Sequence, residues 1–138
     1  MGKNNVRIRM GRVVYLLLAI IFACCMTIQI FFAGMAIFMS PAHWVKHTTF
    51  VHLFGFNIPV LLLVFAFVGS LPSWAYWQTF GLFVSIYLMY FTANVTAIVP
   101  WVGAMHLVVA MILFVLSWII VLKTWRLIFD NRARGKHK

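Results

Sequence analysis

Apolar residues form four long runs along the chain, and short segments with proline or polar turn residues separate the runs. The runs cover about residues 13–38, 48–69, 76–95 and 102–125. An α-helix needs about 20 predominantly apolar residues to cross the hydrocarbon core of a bilayer, so each run is long enough to span it. Connections this short place consecutive helices side by side in opposite directions. The pattern predicts an all-α integral membrane protein, a four-helix up-down bundle over residues 13–125.

Two of the runs differ from a plain apolar span. Pro59 lies inside the second run, and a proline in a membrane helix frees a backbone carbonyl and bends the helix. The third run is the most polar of the four, with Gln78, Thr92 and Asn94 among its residues. We expect a bent second helix and a third helix that still crosses the bilayer.

The composition supports a membrane protein. The chain has 138 residues, of which 65% are hydrophobic and 9% are charged. Soluble domains average about 45–50% apolar and about 25% charged residues. A globule of this size cannot bury so much apolar surface, so lipid must solvate part of it.

The net charge of +10 is concentrated at the two ends of the chain. Between Arg12 and Lys123 the only lysine or arginine is Lys46, and Asp130 is the only acidic residue. Basic ends predict a cytoplasmic N-terminus (residues 1–12) and a cytoplasmic tail (residues 126–138), both close to anionic lipid headgroups. This placement argues against nucleic-acid binding, for which basic residues alternate with aromatic ones on a folded face.

The histidines are the strongest candidates for chemistry, because no charged residue lies well inside a run and ion pumps need one. His52 and His106 each lie about four residues, or roughly 6 Å, inside the outer ends of the second and fourth helices. Those helices are diagonal in a ring of four, so two imidazoles at one depth match a haem with two histidine ligands. His47, slightly more than one turn further out, is an alternative to His52.

Three glycines lie near these histidines or at a similar depth. Gly55 follows His52 by three residues, Gly103 precedes His106 by three, and Gly34 lies in the outer part of the first helix. A missing side chain leaves room for a flat macrocycle, although it equally permits close packing of helices. We therefore include the glycines in the predicted cofactor site.

The outer segment between the first two helices holds a second set of candidates. Lys46, His43 and Trp44 lie where haem propionates would seek cations or donors. Met39, His43 and His47 follow an i, i+4, i+8 spacing that would suit copper, but a proline between the first two interrupts the helix.

Gln29 is a polar residue inside the first apolar run, toward its outer half. Its amide has three possible roles: it can orient a histidine ring, bind a quinone carbonyl, or form a hydrogen bond between helices. No serine, cysteine or carboxylate is paired with a base, so we predict no catalytic residue of a hydrolase.

Three stretches of the chain resemble a family of small, uncharacterised bacterial proteins with four transmembrane helices. They are Gln29–Phe38, Trp44–His47 and Ala104–Leu107. Members commonly carry a proline directly after the last histidine, where this chain has Leu107. The resemblance implies a multi-pass protein of the bacterial cytoplasmic membrane and points to Gln29, Gly34, Trp44, His47 and His106.

The paired histidines also resemble, more remotely, the four-helix haem bundle of b-type respiratory cytochromes. In that bundle the second and fourth helices carry histidine pairs at two depths, whereas this chain has only the outer pair, which implies one haem b at most. The leading hypothesis is therefore a haem protein that transfers electrons to or from a redox partner near the outer face. The alternatives are a cofactor-free structural or accessory subunit, and a membrane protein that binds a quinone or another small molecule.

Overall fold

The fold is all-α throughout residues 3–135, the part of the chain that this computed structural model describes. Lys136–Lys138, in the predicted cytoplasmic tail, lie outside the described residues. The elements are α1 (Lys3–Phe38), a 3-10 turn (Pro41–His43), α2 (Trp44–Phe54), α3 (Asn57–Val68), α4 (Ser73–Val95) and α5 (Pro100–Gly135).

The helices form a ring of four rods, in which α2 and α3 together make the second rod. Helix α1 packs against α2, α3 and α5, and α4 packs against α3 and α5. No Cα atom of α2 or α3 lies within 8 Å of α5 in the described chain, so the second rod and α5 are diagonal. We call the end where α1 begins and α5 finishes the inner end, and the opposite end the outer end.

Three helical segments are long and apolar enough to cross a membrane, by length and composition. They are Asn4–Phe38, Pro41–Val68 and Pro100–Phe129. Within the described residues α4 is not among them, because polar residues such as Gln78 and Asn94 dilute its apolar character. The structure thus shows three candidate spans, whereas the apolar runs predict four.

Helix α1 begins at Lys3, about ten residues before the first apolar run. Arginine and lysine favour helices, so the basic segment extends the helix instead of ending it. Arg12 Nε donates to the carbonyl of Gly69 at 3.0 Å, and its Nη2 donates to the carbonyl of Ser70 at 3.4 Å. These bonds satisfy carbonyls just after the C-terminus of α3 and fasten the first two rods together.

The second rod also begins earlier than the apolar run predicts. Ser40 Oγ accepts a hydrogen bond from the amide of Ala42 at 3.4 Å, and Pro41 occupies the first position of the 3-10 turn. Proline suits the first turn of a helix, where its missing N–H has no partner to lose. The segment 41–47, expected to be a connector, is therefore helical, and His47 lies within α2.

The second rod is broken at Gly55 and Phe56, between α2 and α3. Pro59 has no N–H to donate to the carbonyl of Gly55, which ends the helical ladder there. Helix α3 packs against α4, whereas no Cα atom of α2 comes within 8 Å of α4 or α5 in the described residues. The break therefore separates α2 from the opposite pair of helices at the outer end.

The inner end is closely packed. Leu62, Leu82 and Ile120 are fully buried there, and Tyr15 Oη lies 3.3 Å from Thr79 Oγ1 across the other diagonal of the ring. The bundle thus has a closed inner half and a divided outer half.

Candidate functional site

A cavity of about 690 Å³ occupies the outer half of the bundle, between α2 and the α4–α5 pair. This volume lies within the range of about 300–1,000 Å³ that small-molecule and cofactor sites occupy. Side chains of its inner part are apolar: Phe22, Met26, Phe54, Ile86 and Leu113. Nearer the outer end the lining includes polar groups: Gln29, His47, Thr48, His52, Tyr90, Asn94 and His106.

His47 is held by two hydrogen bonds to a single residue of α1. Its Nδ1 lies 3.1 Å from the backbone carbonyl of Gln29, and the Gln29 amide Nε2 donates to the His47 carbonyl at 2.9 Å. A carbonyl only accepts, so Nδ1 of His47 must carry the proton. In the neutral ring, the lone pair is then on Nε2.

His106 has the same arrangement on α5. Its Nδ1 lies 3.1 Å from the carbonyl of Met89 and 3.1 Å from Thr92 Oγ1. The Thr92 hydroxyl donates to the carbonyl of Leu88 at 2.8 Å, which leaves its oxygen free to accept from the ring. Nδ1 of His106 is therefore the donor, and Nε2 again has the lone pair.

The structure brings His47 and His106 to one cavity from the two diagonal rods. Both rings are partly buried. Metal-binding histidines usually donate their second ring N–H to a carbonyl or carboxylate, which fixes the tautomer and raises the basicity of the ligand nitrogen. Two such imidazoles in one apolar cavity can supply two ligands to a single metal.

His52 lines the same cavity but has a different partner. Its Nδ1 lies 3.1 Å from Tyr90 Oη, and the two rings stack with centroids 5.3 Å apart. His52 is exposed, in contrast to the other two histidines of the cavity. His106 and His47 therefore share a partly buried position and a carbonyl partner, both of which His52 lacks.

The three predicted glycines differ in their surroundings. Gly55 lines the cavity, and a Cβ atom there would lie 3.6 Å from Tyr90 Oη. Gly103 also lines it, but a Cβ atom would lie 2.8 Å from Thr96 Cγ2, so this glycine permits close packing at the start of α5. Gly34 lies outside the cavity, and a Cβ atom there would meet nothing within 4 Å.

The copper alternative gains no support from the described residues. Met39 is 70% exposed, and neither it nor His43 lines the cavity. Within the part of the chain that the structure describes, no group of three or more histidine, cysteine or acidic residues is placed to hold a metal ion. Trp44 does line the cavity, and its ring meets that of His47 edge-on at 5.4 Å.

Some parts of the site have no signature in the sequence. The carbonyls of Gln29 and Met89 orient the rings, and a backbone carbonyl is present at every position of a chain. Thr92 and Tyr90 belong to a polar helix in which their side chains are indistinguishable from Tyr87 and Asn94 by pattern alone. Only the three-dimensional placement of α4 shows that Thr92 and Tyr90 contact the cavity histidines.

Comparison with known proteins places this chain in a family. A family of unknown function (DUF6220) matches residues 29–97, which is half of the chain. The matched region includes Gln29, His47 and Thr92 and ends before His106. No curated protein and no solved structure matches the chain. With half of its length matched, the chain belongs to the DUF6220 family of unknown function.

Proposed function

We propose that this protein is a small membrane-embedded b-type haem protein that transfers electrons near the outer end of its bundle. His47 and His106 would be the two protein ligands of one haem. The observation that carries the proposal is the shared tautomer of these rings: each donates Nδ1–H to a backbone carbonyl, which leaves the lone pair on Nε2, and both residues line the same cavity.

The residues around the cavity fit a haem in two further respects. Packed helices lie about 8–10 Å apart, whereas a macrocycle between two histidines needs a wider gap. A wider gap exists across this diagonal of the bundle, because no Cα atom of α2 lies within 8 Å of α5 in the described residues. The apolar inner lining suits the hydrophobic edge of the ring, and the indole N–H of Trp44 and the side-chain amide of Asn94 would be donors for the propionates.

When bound, haem supplies one-electron chemistry, and the chain determines the conditions around it. His47 and His106 would hold the iron, and the Gln29 carbonyl, the Met89 carbonyl and the Thr92 hydroxyl fix the orientation of the two rings. Phe22 and Phe54, in edge-to-face contact at 5.7 Å, exclude water from the inner side. Occupation of both axial positions by histidine disfavours oxygen activation and favours electron transfer.

The proposal places all four rods across a cytoplasmic membrane, with both chain ends on the cytoplasmic side. Helix α4 is included because it packs between α3 and α5 and exposes an apolar face: Trp77, Phe80, Val84, Leu88 and Phe91. The basic residues of the inner end, such as Arg7, Arg9 and Arg126, would contact anionic lipid headgroups.

The reduced-minus-oxidised visible spectrum of the purified protein, expressed with added haem precursor, tests the proposal. We expect a Soret and α-band change typical of a b-type haem, and its loss in His47→Ala and in His106→Ala. His43→Ala and His52→Ala are matched controls that should keep the spectrum. A colourless protein would refute the proposal, and a stoichiometric partner in the same preparation would then favour an accessory subunit.

A further inference from the structure

Tyr87 differs from the other tyrosines of α4, because it is exposed and has no described partner. Tyr76 Oη donates to the carbonyl of Ala66 at 3.1 Å, and Tyr90 Oη lies 3.1 Å from His52 Nδ1. Tyr87 is 64% exposed, and none of the hydrogen bonds among the described residues involves its hydroxyl. It also lies outside the cavity, so the proposed haem does not account for it.

The position of Tyr87 along α4 puts its hydroxyl deep in the bilayer. At about 1.5 Å per residue, Tyr87 lies about 21 Å from Ser73 at the inner end of the helix and about 12 Å from Val95 at the outer end. Side chains of an α-helix lean toward its N-terminus, which for α4 is the inner end, so the phenol leans away from the nearer interface. The hydrocarbon core offers no water at this depth. A hydroxyl without a hydrogen bond there costs free energy, so it indicates a polar partner.

The other exposed residues around Tyr87 are apolar and by themselves identify no partner, because lipid solvates apolar side chains as well as protein does. We call these residues and Tyr87 together the α4 face; they recur at spacings of three and four, and the apolar members are Trp77, Phe80, Val84, Leu88 and Phe91. The face can bury roughly 600 Å² per copy, close to the about 800 Å² per partner of a standard interface. The area is sufficient for association, and the hydroxyl determines with what.

A second copy of the chain supplies a polar partner at the required depth. Two copies inserted in the same orientation form a closed pair only about a two-fold axis parallel to the membrane normal. Each residue at the axis then faces its own counterpart at the same depth, so the hydroxyl of one Tyr87 meets that of the other. A hydroxyl both donates and accepts, and the two can therefore form one hydrogen bond with each other.

We infer that the protein forms a parallel homodimer through the α4 face, in which the two Tyr87 hydroxyls form a hydrogen bond across the two-fold axis. The inference rests on the proposed crossing of the bilayer by α4, and it requires no haem. No residue of the α4 face lines the cavity, so each copy keeps its own haem site.

Energy transfer between labelled copies in lipid vesicles measures this association. Chains that carry a donor or an acceptor fluorophore on a C-terminal tag are mixed and reconstituted at increasing ratios of protein to lipid. We expect energy transfer that saturates as a dimer and that excess unlabelled chain abolishes. Tyr87→Phe keeps the ring and removes the hydroxyl, so its dissociation constant should be about three- to tenfold higher, the effect of one hydrogen bond between membrane helices.

Tyr90→Phe is the matched control, because it removes a hydroxyl from the same helix that contacts His52 and does not belong to the α4 face. Its dissociation constant should equal that of the unaltered chain. Tyr87 has no described hydrogen bond within the chain, so Tyr87→Phe should unfold in detergent at the same temperature as the unaltered chain. This measurement separates a loss of association from a loss of folding.

Energy transfer no greater than random mixing predicts, saturation at a stoichiometry other than two, or an unchanged dissociation constant in Tyr87→Phe would each overturn the inference. An equal weakening in Tyr90→Phe would also overturn it, because the effect would then not belong to the α4 face. The haem spectrum is recorded on the same preparations. A dimer of colourless protein would refute the proposed function alone, and a monomer with a haem spectrum would refute this inference alone.

Discussion

At the scale of single residues, backbone carbonyls of neighbouring helices determine which ring nitrogen carries the proton in two of the three cavity histidines. The Gln29 carbonyl does so for His47, and the Met89 carbonyl does so for His106. This leaves both Nε2 atoms as the basic ones. Because these two acceptors are main-chain atoms, they remain when a neighbouring side chain is substituted. Such a substitution should therefore weaken a histidine as a ligand without abolishing its binding to the metal.

Thr92 offers a test of this arrangement. In Thr92→Val the His106 ring loses one of its two acceptors and keeps the Met89 carbonyl. Loss of a group that orients a metal ligand typically lowers metal affinity by about 10–100-fold, so we expect haem affinity to fall by about tenfold. Haem titration followed at the Soret band measures it.

The matched control for Thr92→Val is Thr124→Val. Thr124 is fully buried in α5 and donates to the carbonyl of Ile120 at 2.7 Å, outside the cavity. Its replacement should leave haem affinity unchanged. An equal loss in both variants would mean that Thr92 acts on folding and not on His106.

Two glycines of α1 should respond in opposite ways to alanine. A Cβ atom at Gly11 would lie 2.5 Å from the backbone nitrogen of Gly69, and backbone cannot move aside easily. Gly11→Ala should destabilise the protein by about 1–3 kcal/mol through overpacking. At Gly34 a Cβ atom meets nothing within 4 Å, and alanine favours a helix interior by about 0.5–1 kcal/mol.

Thermal unfolding in detergent measures this difference between the two glycine variants. Gly34→Ala should unfold at the same temperature as the unaltered chain or above it, and it should keep any haem spectrum, because Gly34 lies outside the cavity. If Gly11→Ala proved as stable as Gly34→Ala, the close contact of α1 with the end of α3 would be wrong.

The histidine pair shows how far single residues can be predicted from sequence. His106 and His47 are both candidates by pattern, but a helix start near Thr48 would put His52 at the depth of His106. The rod begins at Pro41 instead, because proline occupies the first turn and Ser40 caps it.

At the scale of elements, the break in the second rod determines where the cavity lies. Pro59 is visible in the sequence, and its position predicts a bend. The size of the resulting gap could not be predicted, because it depends on how α3 packs against α4 while α2 does not. The apolar runs also do not predict that α1 and α5 extend beyond them. Basic residues continue a helix as readily as apolar ones, so the end of an apolar run does not mark the end of the helix.

Pro59→Ala tests the link between the break and the cavity. Alanine restores an N–H that can donate to the carbonyl of Gly55, so α2 and α3 should join into one straighter helix. Proline in a helix interior costs about 3 kcal/mol, and its removal should leave the fold at least as stable. The gap between α2 and α5 should narrow, and we expect haem uptake to fall by at least about tenfold.

Pro72→Ala is the control for Pro59→Ala, because Pro72 precedes α4 at the inner end and does not line the cavity. Haem titration and thermal unfolding are measured on both variants. Full haem uptake by a stable Pro59→Ala protein would show that the bend does not create the site.

At the scale of the whole molecule, the two ends of the bundle differ in packing and in charge. The inner end is packed around Tyr15, Thr79 and Leu82, and described basic residues such as Arg9 and Arg126 lie there. The outer end holds the cavity and its three histidines. The single haem proposed lies in the outer half of the bundle, so by itself it would not carry electrons across the whole bilayer.

The charge asymmetry predicts the orientation of the molecule. Short peptide tags at the two ends should both be digested by protease in inside-out vesicles and protected in right-side-out vesicles, because basic segments are retained in the cytoplasm. A tag fused into the outer segment between α4 and α5 should be digested in right-side-out vesicles and protected in inside-out vesicles. Tags on opposite sides of the membrane would contradict an even number of spans.

Electron paramagnetic resonance of the oxidised, haem-loaded protein measures most directly whether His47 and His106 bind one iron together, because the spin state depends on both axial ligands. We predict a low-spin ferric signal in the unaltered protein and in His52→Ala. His47→Ala and His106→Ala should each give a high-spin signal or no haem. A high-spin signal in the unaltered protein, or a low-spin signal that persists in both ligand variants, would contradict the proposed site.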